Sequence, residues 1–132
     1  MILVDTSILI DYFHKRINPS TKKFEYILLM NIPYGINVFI YQELLQGVYS
    51  ENDYELLKKY LDKQIFYSLN RGKESFADAA KIYFKCKKAG YNLNSTIDCL
   101  IVQTAIENNL YLLHNDSDFE HIKKVIKFLK IY

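Results

Sequence analysis

The chain alternates short continuous apolar runs with longer stretches whose apolar residues recur every three or four positions, and this alternation restricts the fold more than any other feature. The first run, Ile2 to Val4, stops at Asp5-Thr6-Ser7, where Asp, Thr and Ser side chains can accept the free N–H groups of a following helix. That reads as a strand feeding a helix. Pro19-Ser20 opens a helix from about Ser20 to Met30, and Pro33-Tyr34-Gly35 breaks the chain before a short strand near Ile36 to Val38. A helix follows from about Phe39 to Val48, another covers Asp53 to Leu61, and Ile65 to Leu69 is strand-like. Arg71-Gly72 precedes a long helix with Phe76, Ala80 and Tyr83 among its apolar positions, closed by Gly90. Asn94-Ser95 caps the next helix, in which Ile97, Leu100, Ile101, Ala105 and Ile106 recur until Asn108-Asn109. Leu110 to Leu113 is a buried strand, a last helix spans about Asp118 to Val125, and the alternation of Ile126 and Phe128 with Lys127 and Lys130 predicts an edge strand over Ile126 to Tyr132.

Apolar strands separated by helices imply a parallel sheet covered on both faces, the doubly wound α/β architecture. With 132 residues, half of them hydrophobic, the chain can bury one sizeable core, so residues 1–132 are expected to form a single domain.

Composition removes several classes of function. The net charge of +2 is close to balanced, so bulk charge alone does not announce a nucleic-acid binder. Cys86 and Cys99 both lie in helical stretches with no second pair to suggest a zinc site, and are expected to be buried thiols in a reducing cytoplasm. The run from Met1 to Phe13 lacks the basic start of a signal peptide and carries Asp5 and Asp11 inside it. No other segment is long and apolar enough to cross a membrane, so no membrane partner is expected.

In open α/β sheets, sites gather at the carboxyl ends of strands, and four acids fall there. Asp5 follows the first strand, Glu43 lies in the first turns of the helix after the second, Asp98 is in the first turn of its helix, and Asp116 comes just beyond the strand ending near Leu113. Asp5 and Asp116 also suit plain capping or turn roles. Asp98 is harder to assign to packing, because Ile101, Val102 and Ala105 share its helix face. A carboxylate on that stripe is partly buried, few basic residues lie close along the chain, and four like charges together need a cation among them. Oxygen-only ligation suits Mg2+ or Mn2+. Gly47, one turn after Glu43 on the same face, would let another element or a substrate approach.

Read together, these segments resemble the PIN-domain nucleases, and within them the small VapC-like toxins, along essentially the whole chain. Ile2-Leu3-Val4-Asp5-Thr6-Ser7 is similar to the family's opening strand and first acid, and Glu43-Leu44-Leu45-Gln46-Gly47 to its second motif. Thr96-Ile97-Asp98 with Leu100-Ile101-Val102 is similar to the third, and Asn115-Asp116-Ser117-Asp118-Phe119 to the fourth. The resemblance implies a three-layer α/β/α fold around a mostly parallel sheet of about five short strands. It also implies that Asp5, Glu43, Asp98 and Asp116 are the acidic quartet, with Thr6, Ser7 and Asn115 near the metals. Asp118 stands beside Asp116 in the same D-x-D-F segment, so it either binds metal through water or caps the final helix. Cys99 and Gln103 depart from the pattern, where plain aliphatic or small residues are expected.

The resemblance implies a metal-dependent endoribonuclease acting on tRNA, rRNA or mRNA, toxin of a type II toxin-antitoxin module, working as a homodimer in the cytoplasm and neutralised by a cognate antitoxin. Such chemistry uses acids rather than a histidine, and His14, His114 and His121 are scattered. Lys22, Lys23, Arg71, Lys73, Lys85, Lys87 and Lys88 are the cations available to read phosphate. Other readings are a catalytically inactive PIN-fold binding module, which the intact quartet opposes, and a general PIN nuclease without an antitoxin. A HAD-type phosphatase would need D-x-D after the first strand, where Asp5-Thr6-Ser7 stands.

Overall fold

A computed structural model of the chain describes all of residues 1–132. Five parallel strands lie in the order β3-β2-β1-β4-β5: β1 (Ile2–Val4), β2 (Tyr34–Ile36), β3 (Ile65–Phe66), β4 (Tyr111–Leu113) and β5 (Lys130–Ile131). Seven helices connect them: α1 (Thr6–Phe13), α2 (Pro19–Leu29), α3 (Val38–Gln46), α4 (Glu51–Leu61), α5 (Lys73–Lys88), α6 (Thr96–Glu107) and α7 (Ser117–Val125). The connections leave β1 toward β2 and β3 on one side, and return across to β4 and β5 on the other. Right-handed crossovers in opposite directions place helices on both faces, giving the expected three-layer fold, and they create a switch point between β1 and β4.

The central strands read as continuous apolar runs because they are buried from both sides. Leu3 and Val4 of β1, Ile36 of β2 and Leu112 of β4 have no exposed surface. α6 sits deepest among the helices, with every residue from Asp98 to Ala105 except Leu100 buried. Ile101 and Val102 are fully enclosed, so the stripe that accompanies Asp98 is core, as its periodicity predicts. The Cys86 and Cys99 thiols are buried and free.

The largest differences from the sequence reading occur where a residue's role depends on a distant neighbour. Gly35 lies inside β2 instead of breaking the chain before it, and the strand runs two residues earlier than expected. A Cβ at Gly35 would stand 2.5 Å from the Ile65 carbonyl oxygen on β3 and 2.7 Å from the Tyr67 ring. Only glycine permits that approach. Gly35→Ala is therefore expected to destabilise the protein by about 2–3 kcal/mol. A urea midpoint equal to wild type would show that β2 and β3 part freely. At the other edge, β5 is only two residues long, because Ile126 and Leu129 are both buried while Phe128 is exposed. A three-residue spacing is one turn, not alternation. The strand expected to reach Leu69 likewise ends at Phe66, and α4 starts at Glu51, where the Ser50 hydroxyl accepts from the Asp53 N–H.

Candidate active site

Four of the five acids named from the sequence sit at or just after a helix start on the carboxyl side of the sheet. Asp5 extends the β1–β4 ladder, its N–H donating to the Leu113 carbonyl at 2.9 Å. It then caps α1: its carboxylate accepts from the Ser7 N–H at 3.0 Å and the Ser7 hydroxyl at 2.6 Å. Asp116 caps α7, accepting from the Asp118 N–H at 2.9 Å. The capping roles foreseen for Asp5 and Asp116 are thus present, and both residues flank the switch point of the sheet. Asp98 enters from the first turn of α6. Glu43 projects from the second turn of α3, which Asn37 starts by accepting the Ile40 N–H.

The supporting residues form a connected set. The Thr6 hydroxyl donates to Glu43 at 2.9 Å, linking α1 to α3. The Ser7 hydroxyl donates to Asp5 and accepts the Asn115 N–H at 3.0 Å, which ties the loop after β4 to the loop after β1. Asp118 is not the helix cap. It is 3% exposed, and its carboxylate accepts the Asn94 N–H at 2.8 Å, holding the start of the α6 segment against α7.

Electrostatics make Asp98 the most unusual group in the chain. Burial, reinforced by the charges of Asp5, Asp116, Asp118 and Glu43, pushes its carboxyl up to about 8. Nothing offsets this: neither a cation nor a hydrogen-bond donor of the chain reaches it. Asp5 is pushed up to about 6, chiefly by burial and further by Glu43, against the pull of its Ser7 hydrogen bonds. The same five residues therefore act on one another. No three His, Cys, Asp or Glu side chains converge closely enough to hold an ion as they stand. The donor set itself is all carboxylate oxygen with one buried member unpaired, a composition that suits a hard divalent cation after side-chain rotation.

Several contacts had no signal in the sequence. The Asp11 carboxylate accepts from Asn115 Nδ2 at 2.9 Å and from Asn18 Nδ2 at 3.0 Å, and pairs with Arg16, fixing the side chain next to Asp116. His114 Nδ1 accepts the Asp116 N–H at 3.2 Å, and Nε2 lies 3.1 Å from Glu120 but off the line of a hydrogen bond. Burial lowers the pKa of this ring. His14 only closes α1, and His121 stacks on Tyr91. Gly47 ends α3 with ordinary spacing around its Cα, so no element of the chain needs its missing side chain. It opens instead on a groove of about 570 Å³ between α1, α3 and α4, lined by Phe13, Val48, Leu56 and Tyr60 with Glu43 at its edge.

An all-parallel α/β/α sheet with interacting carboxylates around its switch point defines a class of protein built to place oxygen ligands at strand ends. Residues 2–125 match the PIN domain, and the chain belongs to that family. The VapC ribonuclease Mb1587 of Mycobacterium bovis is 29% identical over 128 residues, 95% of this chain and 93% of the relative. VapBC-1 from nontypeable Haemophilus influenzae superposes with a TM-score of 0.72 at 22% identity, covering 100% of this chain and 97% of that one. A toxin-antitoxin complex from Klebsiella pneumoniae gives 0.65 at 21% identity, covering 90% of each. At these identities the two solved structures establish the fold.

Proposed function

We propose that this PIN-domain chain is a divalent-metal-dependent endoribonuclease and the toxin of a type II toxin-antitoxin module. The observation that carries the catalytic part is Asp98, a buried carboxylate among four other acids with no partner from its own chain. Asp5, Glu43, Asp98 and Asp116 would hold magnesium or manganese, with Asp118 adding charge behind Asp98. When bound, the ion supplies the Lewis-acid charge for phosphodiester hydrolysis. The protein's part is placement. Ser7 orients Asp5, Thr6 orients Glu43, and the Asp11–Asn115 contact fixes the loop that carries Asp116. The names of the Mycobacterium bovis relative and of the toxin-antitoxin neighbour support the ribonuclease and toxin readings.

The partners follow from the surface. The apolar groove between α1, α3 and α4 ends at Glu43, which suits an antitoxin segment with apolar anchors and one Arg or Lys directed at the acids. Val38 on α3 and Phe76 on α5 are at least half exposed, Phe76 lies edge-on to Phe39 of α3, and this is the face we assign to a homodimer. Light scattering at micromolar concentration is expected to read the mass of two chains, and a strict monomer would rule the dimer out. The place of action is then the cytoplasm, where RNA and antitoxin are made.

Purified protein is expected to cut RNA in magnesium or manganese, to stop in chelator, and to resume when the metal is restored. Cleavage that survives chelation would sink the metal-dependent reading. Induction in bacteria should arrest growth, and co-expression of the antitoxin encoded beside it should relieve the arrest. Harmless induction of a chain that still cuts RNA would leave a general PIN nuclease.

A further inference from the structure

The cations expected to read phosphate are not equivalent once the fold is in view. Arg71 is paired with Asp78 and lies near Glu107, and Lys23 donates to the Tyr132 carbonyl. Lys81, Lys85 and Lys88 recur at i, i+4 and i+7 on one face of α5, and none makes an ion pair. This face lies about a third of a turn or more around the helix from Phe76, and Phe84 borders it one turn before Lys88. A short connection joins α5 to α6, so the lysine-rich end of α5 lies toward the end of α6 that carries Asp98.

That connection also holds an aromatic platform. Tyr91, just past the end of α5, stacks on His121 of α7 with ring centroids 4.8 Å apart and planes 14° from parallel. Lys124 Nζ stands 5.9 Å from the centre of the Tyr91 ring, and Lys88 Nζ stands 5.4 Å from that of Phe84. Three residues beyond Tyr91, the Asn94 N–H is bonded to Asp118, so the connection that carries this platform runs on to the acids. The opposite flank has the reverse character: α4 begins with Glu51, Asp53 and Glu55 beside the apolar groove.

We propose that single-stranded RNA reaches the acids across the α5–α7 flank, with Lys85, Lys88 and Lys124 taking backbone phosphates and the Tyr91–His121 pair offering a face on which a base stacks. Lysines track the charged backbone without regard to sequence, and an aromatic face accepts any base. The α1–α3–α4 groove is left to the antitoxin. The inference rests on the ribonuclease reading, and adds to it the path of the substrate.

The test compares Lys88→Glu/Lys124→Glu with Lys59→Glu/Lys63→Glu, a pair of equal charge change on and just after α4. Binding of a labelled single-stranded RNA of mixed sequence is followed by fluorescence anisotropy over a range of salt, and cleavage is measured in magnesium. The α5–α7 pair is expected to raise KM about tenfold or more with kcat within about threefold, and to flatten the slope of log affinity against log salt by about 1.4, the share of two phosphate contacts. The α4 pair is expected to leave all three unchanged. Tyr91→Leu should weaken binding about tenfold at an unaltered salt slope. If wild-type protein binds and cuts RNA while both double variants behave alike, the assigned path is wrong and the ribonuclease reading stands. If wild type neither binds nor cuts RNA, both fall together.

Discussion

Replacing Asp98 with Asn is expected to abolish RNA cleavage, by about 10³-fold or more, and at the same time to make the metal-free protein more stable. The two effects share one cause. Asp98 is buried, raised to about 8, and surrounded by Asp5, Asp116, Asp118 and Glu43 without a compensating donor. At neutral pH burial and the four neighbours force the folded protein to hold a proton that the unfolded chain would release, and an amide of the same shape removes that cost, while it cannot supply an ionised ligand. The stability gain is on the order of 1–2 kcal/mol at neutral pH, or about 5 °C in melting temperature for a domain of this size. Asp5→Asn should act similarly on activity, with a smaller gain in stability, because Ser7 already stabilises that carboxylate. Melting curves in chelator and cleavage in magnesium check both at once. An Asp98→Asn protein that melts lower and still cuts RNA would show that the carboxylate is a structural group.

In chelator, stability is expected to fall as pH rises from about 4 to about 8, opposite to the behaviour of a protein held by ion-paired carboxylates, with the His114 ring, lowered from 6.5 by burial, offsetting part of the fall below about 6.5. The folded-state values of Asp98, about 8, and Asp5, about 6, both exceed the ordinary value of 3.8. Between the unfolded and folded values the native state holds protons that the unfolded chain has released, so each added pH unit favours unfolding. The contribution is complete below pH about 4. Asp5 loses its share by about 6, and Asp98 continues to about 8. The melting temperature is expected to drop by about 10 °C across the window. Asp98→Asn should remove the fall above pH 6 and roughly half of it below, and magnesium or manganese should restore the high-pH stability of wild type. A metal-free melting temperature that rises or stays level over this range would contradict the electrostatic account of the site.

The acids we propose for the site could be picked out in the sequence because each has a local signature. Asp5 ends an apolar run, and Asp98 interrupts a helical apolar stripe whose partners Ile101, Val102 and Ala105 prove to be core. What the sequence hid were contacts between residues far apart along it. Asp118 could be read as the cap of the final helix until Asp116 proved to be that cap and the bond of Asp118 to Asn94, 24 positions away, became visible. Gly35 looked like a break because its need for a missing side chain comes from Ile65 and Tyr67 on the neighbouring strand and loop. Asp11 gave no hint that it would hold Asn115, 104 positions later. Gly47 shows the reverse: a glycine at a suggestive position with no crowding around it.

Calorimetric titration of manganese into metal-free protein at pH 7 shows whether these acids hold a divalent cation. Asp98, raised to about 8, is largely protonated at that pH and must ionise to serve as a ligand. Saturable binding is expected to release close to one proton per ion, read from the dependence of the heat on the buffer's ionisation enthalpy. That binding and its proton release are expected to be lost in Asp98→Asn, in parallel with RNA cleavage. Saturable binding that is unchanged in Asp98→Asn, or no saturable binding in a wild-type protein that cleaves RNA, would contradict the metal-dependent reading.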